Sequence, residues 1–136
     1  MEPDFPFEFV VSGTPVSLGS SSRSRKLWKQ EIQNASKDSL PEGYWLTKER
    51  IAVTLYYFPA ENMQGDIDNI VKPILDSLNN HIYVDDHQVE RVVVQKFEPD
   101  NFFAFDGPSE RLTEAIAGEK PKLYIRMSTD PFEELR

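Results

Sequence analysis

The chain has 136 residues, no cysteine and a formal net charge of −8. That length suits one domain, residues 1–136, with room for a real core, and the missing cysteines exclude disulfides, zinc thiolate sites and a cysteine nucleophile. No apolar run approaches the ~20 residues of a membrane span and the acidic start is unlike a signal peptide, so a soluble, cytoplasmic protein without a membrane partner is expected. The acidity runs against a nucleic-acid partner, which usually meets a basic face. The charge is uneven, however: residues 20–50 hold seven Lys or Arg against four acids.

Phe5, Phe7, Phe9 and Val11 predict a first strand, closed by Ser12-Gly13-Thr14-Pro15. Val16 to Ser24 is a Ser- and Gly-rich loop of a composition associated with mobility. It runs into Arg23, Arg25, Lys26 and Lys29, four basic residues in seven. Leu27, Trp28, Ile32 and Ala35 recur at helical spacing as the inward side, Trp28 being assigned to the core, with Arg25, Lys26, Lys29 and Gln33 more exposed. On the residues alone, this basic end is as readily a solvated helix face as a phosphate-binding patch. Ile51 to Phe58, rich in β-branched and aromatic residues, predicts a strand that Pro59 ends.

The chemistry concentrates between Gly65 and Val89. Ile67, Ile70, Val71, Ile74, Leu75 and Leu78 share one face of a predicted helix. At about 100° per residue, Asp68, Lys72 and Asp76 fall about 40° apart in a polar stripe beside that face, and Asp66 precedes the helix. One aspartate would suffice as a cap. Asp66 with Asp68, followed by Asp85 and Asp86 after the strand-like run His81 to Val84, exceeds that need. Adjacent carboxylates repel unless a cation lies between them, and Mg²⁺ takes oxygen ligands, so the pattern points to a hard-metal site. The spacing of four between Asp68 and Lys72 equally permits a plain salt bridge. His81 and His87 are read as surface residues outside the metal's ligands, because hard ions prefer oxygen.

The run His81 to Val84 is expected to pair as a hairpin with a strand from Val89 to Phe97, both acids lying in its turn. Pro99 to Gly107, with three phenylalanines, reads as an aromatic loop packed on the body, with a wedge or stacking contact to unpaired nucleic-acid bases as the alternative. A short helix from Pro108 to Gly118 follows, then a strand from Lys122 to Ser128. Residues 129–136 read as a flexible, solvated acidic tail.

Asp66-Ile67-Asp68-Asn69, Lys72, Asp76-Ser77-Leu78 and Val84-Asp85-Asp86-His87-Gln88-Val89 together resemble the signature of the RusA family of Holliday junction resolvases, the crossover junction endodeoxyribonucleases of bacteria and their phages. The resemblance implies Mg²⁺-dependent cleavage of branched DNA by a homodimer, with Mn²⁺ a possible substitute metal. It implies that Asp66, Asp68 and Asp86 are the essential metal-binding carboxylates, with Asp85 nearby as a further ligand or supporting group, and that Lys72 is the catalytic lysine. It also favours Arg23, Arg25, Lys26 and Lys29 as phosphate contacts. Two other functions are compatible with the same residues: a branched-DNA-binding protein with weak or no catalysis, and a regulatory or interaction domain stabilised by a cation. The expected fold is a single α+β (mixed α/β) domain, one mixed sheet of about five strands with helices packed on it.

Overall fold

In the computed structural model, which describes residues 1–136, the elements run β1 (Phe7–Ser12), α1 (Ser22–Ser36), β2 (Ile51–Phe58), α2 (Asp68–Leu78), β3 (Val89–Lys96), α3 (Glu110–Ala117) and β4 (Lys122–Ser128). The α+β class is as expected, but the one mixed sheet has four strands, in the order β1-β4-β2-β3, where about five were expected. The missing strand is the run His81 to Val84. Within it Tyr83 makes only isolated bridges to Thr47 and Asn79, and β3 pairs in parallel with β2, not as a hairpin with that run. A parallel neighbour needs a crossover, and α2 with the acidic turn provides it. No helix is long and apolar enough to cross a membrane.

Strand alternation assigns each face of the sheet to a different layer. Phe7, Phe9 and Val11 of β1, Val53, Leu55 and Tyr57 of β2, and Leu123, Ile125 and Met127 of β4 join Trp28 and Ile32 of α1 and Ile70, Ile74 and Leu78 of α2 in the main core. Each Ile or Leu fully buried there contributes about 1.5–3 kcal/mol. On the opposite face Tyr124 and Phe58 meet Leu112 and Ala115 of α3, with Phe97, Phe103 and Phe105 packed around them. The aromatic loop thus packs on the body as expected, although Phe102 within it is 97% exposed. Pro108 lies outside α3, because Ser109 takes the N-cap by accepting the Leu112 N–H at 3.1 Å. Two of the three C-terminal acids are paired rather than simply solvated: Arg126 holds Glu133 at 2.6 Å and Arg136 holds Asp130, while Glu134 is exposed.

Two features of the helices fix the loop between β1 and α1. Trp28 is buried, with its ring against Gly13, where φ is +155° and a Cβ would stand 3.0 Å from the ring. Leu27, expected inward, is instead 51% exposed. The second feature is Pro73, inside α2. Proline has no N–H, so the carbonyl one turn earlier, Asn69, loses its helical partner. The Leu18 N–H donates to that carbonyl at 3.0 Å. Arg25 secures the same loop by donating to the Leu18 carbonyl at 3.2 Å and to the Ser20 carbonyl.

Candidate active site

Asp66 and Asp68 open α2, yet neither serves it as a cap. The N-cap position is Ile67, with helical backbone and no side-chain cap bond, and Asp68 is the first helical residue. The entry turn is made by the chain itself, through Asn69 N–H to Asp66 O at 3.1 Å and Ile70 N–H to Ile67 O at 3.3 Å. Both aspartates are exposed. Their charge is favoured by the helix N-terminus, an effect of about 0.3–1 kcal/mol per group. The capping explanation for the pair therefore has no hydrogen bond to rest on, and both carboxylates face solvent.

One turn further along the same stripe, Lys72 Nζ lies 2.7 Å from Asp76 Oδ1 and 3.0 Å from Asp86 Oδ2. The lysine therefore pairs with Asp76 and Asp86, not with Asp68 as its spacing allowed. Donating hydrogen bonds to Asp76 first and Asp86 second raises its pKa, which keeps the ammonium charged. The other oxygen of Asp86 accepts from the Tyr83 hydroxyl at 3.0 Å, and that hydroxyl also stands 3.1 Å from the Leu75 carbonyl. Tyr83 is fully buried. Burial and the adjacent Asp86 charge push the phenol's pKa upward, so it remains a donor across the physiological range. Lys72 and Tyr83 thus grip one oxygen each of Asp86 and fix the plane of its carboxylate.

The acidic turn is anchored by Gln88, which is 7% exposed. Its side-chain oxygen accepts from the Val84 and Asp85 N–H groups at 2.8 and 2.9 Å, and its nitrogen donates to the Thr47 and Glu49 carbonyls at 3.0 and 2.9 Å. Asp85 caps the short helical turn Asp86–Gln88 and is engaged by His87, through the backbone N–H at 3.1 Å and Nδ1 at 2.5 Å. His81 is not the surface residue expected from its position: it is half-buried, with Nε2 2.8 Å from Ser36 Oγ. Ser36 donates its own proton to the Gln33 carbonyl, so the histidine donates from Nε2. Burial first, and Lys37 and Lys29 second, lower its pKa and keep it neutral near pH 7.

Asp86 is therefore drawn onto the polar stripe of α2, beside Lys72, with Asp68 one turn away on the same helix. Asp66 stands before the helix start, and Asp85 is turned toward His87. No three acidic or histidine side chains stand close enough to share one ion. The donor set is nonetheless all carboxylate oxygen, the chemistry Mg²⁺ takes with few protein ligands and several waters. Of the four basic candidates, Arg23, Lys26 and Lys29 are exposed on α1, whereas Arg25 is drawn in by the loop carbonyls. Sequence reasoning missed Tyr83 and Gln88. Tyr83 lies in an apolar run, although a tyrosine three residues before an acid could have signalled a buried donor; Gln88 carries the local signal of a capping box with Asp85 three residues earlier, whereas its bonds to the Thr47 and Glu49 carbonyls join residues distant in sequence.

The family described as Endodeoxyribonuclease RusA matches residues 18–104. No curated protein matches the chain.

Proposed function

The chain belongs to the RusA endodeoxyribonuclease family, and from that premise we propose that it hydrolyses phosphodiesters at four-way DNA junctions as a divalent-metal-dependent homodimer acting in DNA recombination and repair. The observation that carries this reading is the grip of Lys72 and Tyr83 on Asp86 beside the exposed Asp68.

In this reading the exposed side chains of Asp66 and Asp68 would turn toward Asp86 to hold the cation, because no three acids converge on one point as they stand, with Asp85 supporting the turn that presents Asp86. When bound, Mg²⁺ or Mn²⁺ supplies charge neutralisation at the phosphate and acidifies the attacking water. Tyr83 keeps Asp86 oriented by a hydrogen bond to one oxygen, the supporting contact that sets ligand aim. Lys72 carries a fixed positive charge at the stripe's centre and stabilises the negative charge that builds on the phosphoryl oxygens. Asp76, on the far side of Lys72, limits the swing of the ammonium. Arg23, Lys26 and Lys29 engage backbone phosphates, which position the duplex without reading its sequence.

One chain offers one set of these acids, whereas a junction resolved into two duplexes needs two cuts. A two-fold dimer supplies the second site, and such dimers are the commonest closed assemblies.

The test is cleavage of end-labelled four-way junctions and matched linear duplexes with and without Mg²⁺. The expected result is paired, symmetric nicks in the junction, lost in EDTA. Asp68→Asn should lower cleavage by several orders of magnitude while junction binding in EDTA persists or strengthens, because a charge that repels phosphate is gone. A fully active Asp68→Asn protein, or a monomer both free and on DNA, contradicts the corresponding part of the proposal.

A further inference from the structure

One cavity takes no part in the chemistry above, although Asp66 lies in its wall. It has a volume of about 560 Å³ and lies between the turn that follows β2 and the loop that follows β1. That size is in the range of pockets that enclose small ligands, about 300–1,000 Å³. No Lys, Arg or His lines it, and its charged residues are the acids Glu61 and Asp66. A phosphate would be repelled there. Met63, Pro15 and the edge of buried Tyr57 provide apolar surface, while Asn62 and Gln64, both exposed, provide amide donors and acceptors. A flat, uncharged group with a hydrogen-bonding edge fits that lining.

The wall opposite Asn62 is a built feature. Ser17 lines the cavity next to Leu18, whose N–H is held by the Asn69 carbonyl that Pro73 leaves free, and Asn69 itself lines the cavity. A gap in the helix ladder of α2 thus fixes one side of the cavity, and the first residue before α2, Asp66, marks another.

We propose that this cavity receives one nucleobase, unstacked from the strand being cut, whose edge is bonded by Asn62 and Gln64. The proposal rests on the nuclease reading and deepens it. A cavity adjoining Asp66 can take only a base close to the attacked phosphate. Unstacking costs least where pairing is already disrupted, so a base-capturing cavity favours a branch point over a continuous duplex without any contact to the other arms.

The experiment places 2-aminopurine, whose fluorescence rises on unstacking, at each of the nucleotides flanking the cut in a four-way junction, with EDTA present so that binding occurs without cleavage. Wild-type protein should brighten one position severalfold, and the same probe in a matched linear duplex should stay dark. The Asn62→Ala/Gln64→Ala protein, altered only at exposed positions, should lose most of the brightening while anisotropy still reports junction binding. Ser17→Phe, which puts a ring into the cavity from the opposite wall, should do the same. Binding without brightening at any position overturns the cavity proposal, as does brightening unchanged in both variants. Cleavage in Mg²⁺ is read in parallel: cleavage without brightening overturns the cavity alone, brightening without cleavage overturns the nuclease alone, and failure to bind junctions at low salt overturns both.

Discussion

Tyr83 is the residue on which the orientation of Asp86 turns. Its hydroxyl is buried, its pKa is pushed upward by that burial and by the Asp86 charge, and it is bonded to one carboxylate oxygen while Lys72 holds the other. Groups that orient a metal-binding carboxylate typically change metal affinity by about 10–100-fold when removed. Tyr83→Phe keeps the ring in the core and deletes only the hydroxyl, so it should cost about 1 kcal/mol of stability. The Mg²⁺ concentration for half-maximal cleavage should rise about 10-fold or more, with the rate at saturating metal largely recovered. A metal titration of cleavage, set beside urea unfolding, checks both. A lower rate at saturating Mg²⁺ with unchanged metal dependence would show that Tyr83 acts on something other than Asp86 as a ligand. The contrast with Asp85 is instructive: an adjacent residue of the same type spends its carboxylate on His87 and on capping its own turn.

At the scale of elements, α2 is organised by the residue least suited to a helix interior. Proline there usually costs about 3 kcal/mol relative to alanine, yet here the freed Asn69 carbonyl is taken by Leu18 and the Ser-rich loop is docked onto α2. Pro73→Ala restores an N–H that competes for that carbonyl. The variant should be at least as stable as the wild type, while the Leu18 amide, on a residue 49% exposed, loses its protection from hydrogen exchange. Unchanged protection of Leu18 would mean that its bond to the Asn69 carbonyl survives without the proline. The same helix is joined to α1 by Gln33, whose amide donates to the Ser77 carbonyl at 3.1 Å, so the basic end of α1 and the acidic start of α2 belong to one packed pair.

For the whole molecule, the balance of −8 sets how the protein meets a polyanion. The exposed cations Arg23, Lys26 and Lys29 lie together on the first turns of α1, so the electrostatic attraction is local rather than global. Each phosphate contact contributes close to one unit to the salt slope of binding, and Lys26→Ala with Lys29→Ala should flatten log K against log[salt] by about 1–2. Arg25→Ala should act differently, by loosening the loop whose carbonyls it binds. A slope unchanged in the double variant returns this end of α1 to a solvated helix face.

The local patterns were sufficient for most elements, because period-two and period-3.6 burial are written in adjacent residues: the alternating phenylalanines of β1, the apolar run of β2 and the stripe of α2 all appear where periodicity places them. The family was likewise legible, since acids, lysine and spacing lie within one short stretch. The run His81 to Val84 misled because its apolar residues are buried by packing rather than by strand pairing: Ile82 and Tyr83 are fully buried with no sheet neighbour beyond isolated bridges. Leu27 misled for the converse reason, a helix face being wider in sequence than the surface it actually covers. Which carboxylate Lys72 takes, that Gln88 ties the acidic turn to residues near 48, and that Leu18 meets the carbonyl freed by Pro73 were decided only by the tertiary structure. Each joins residues well separated along the chain, and no local periodicity carries information about a partner that only the folded path brings within hydrogen-bond reach.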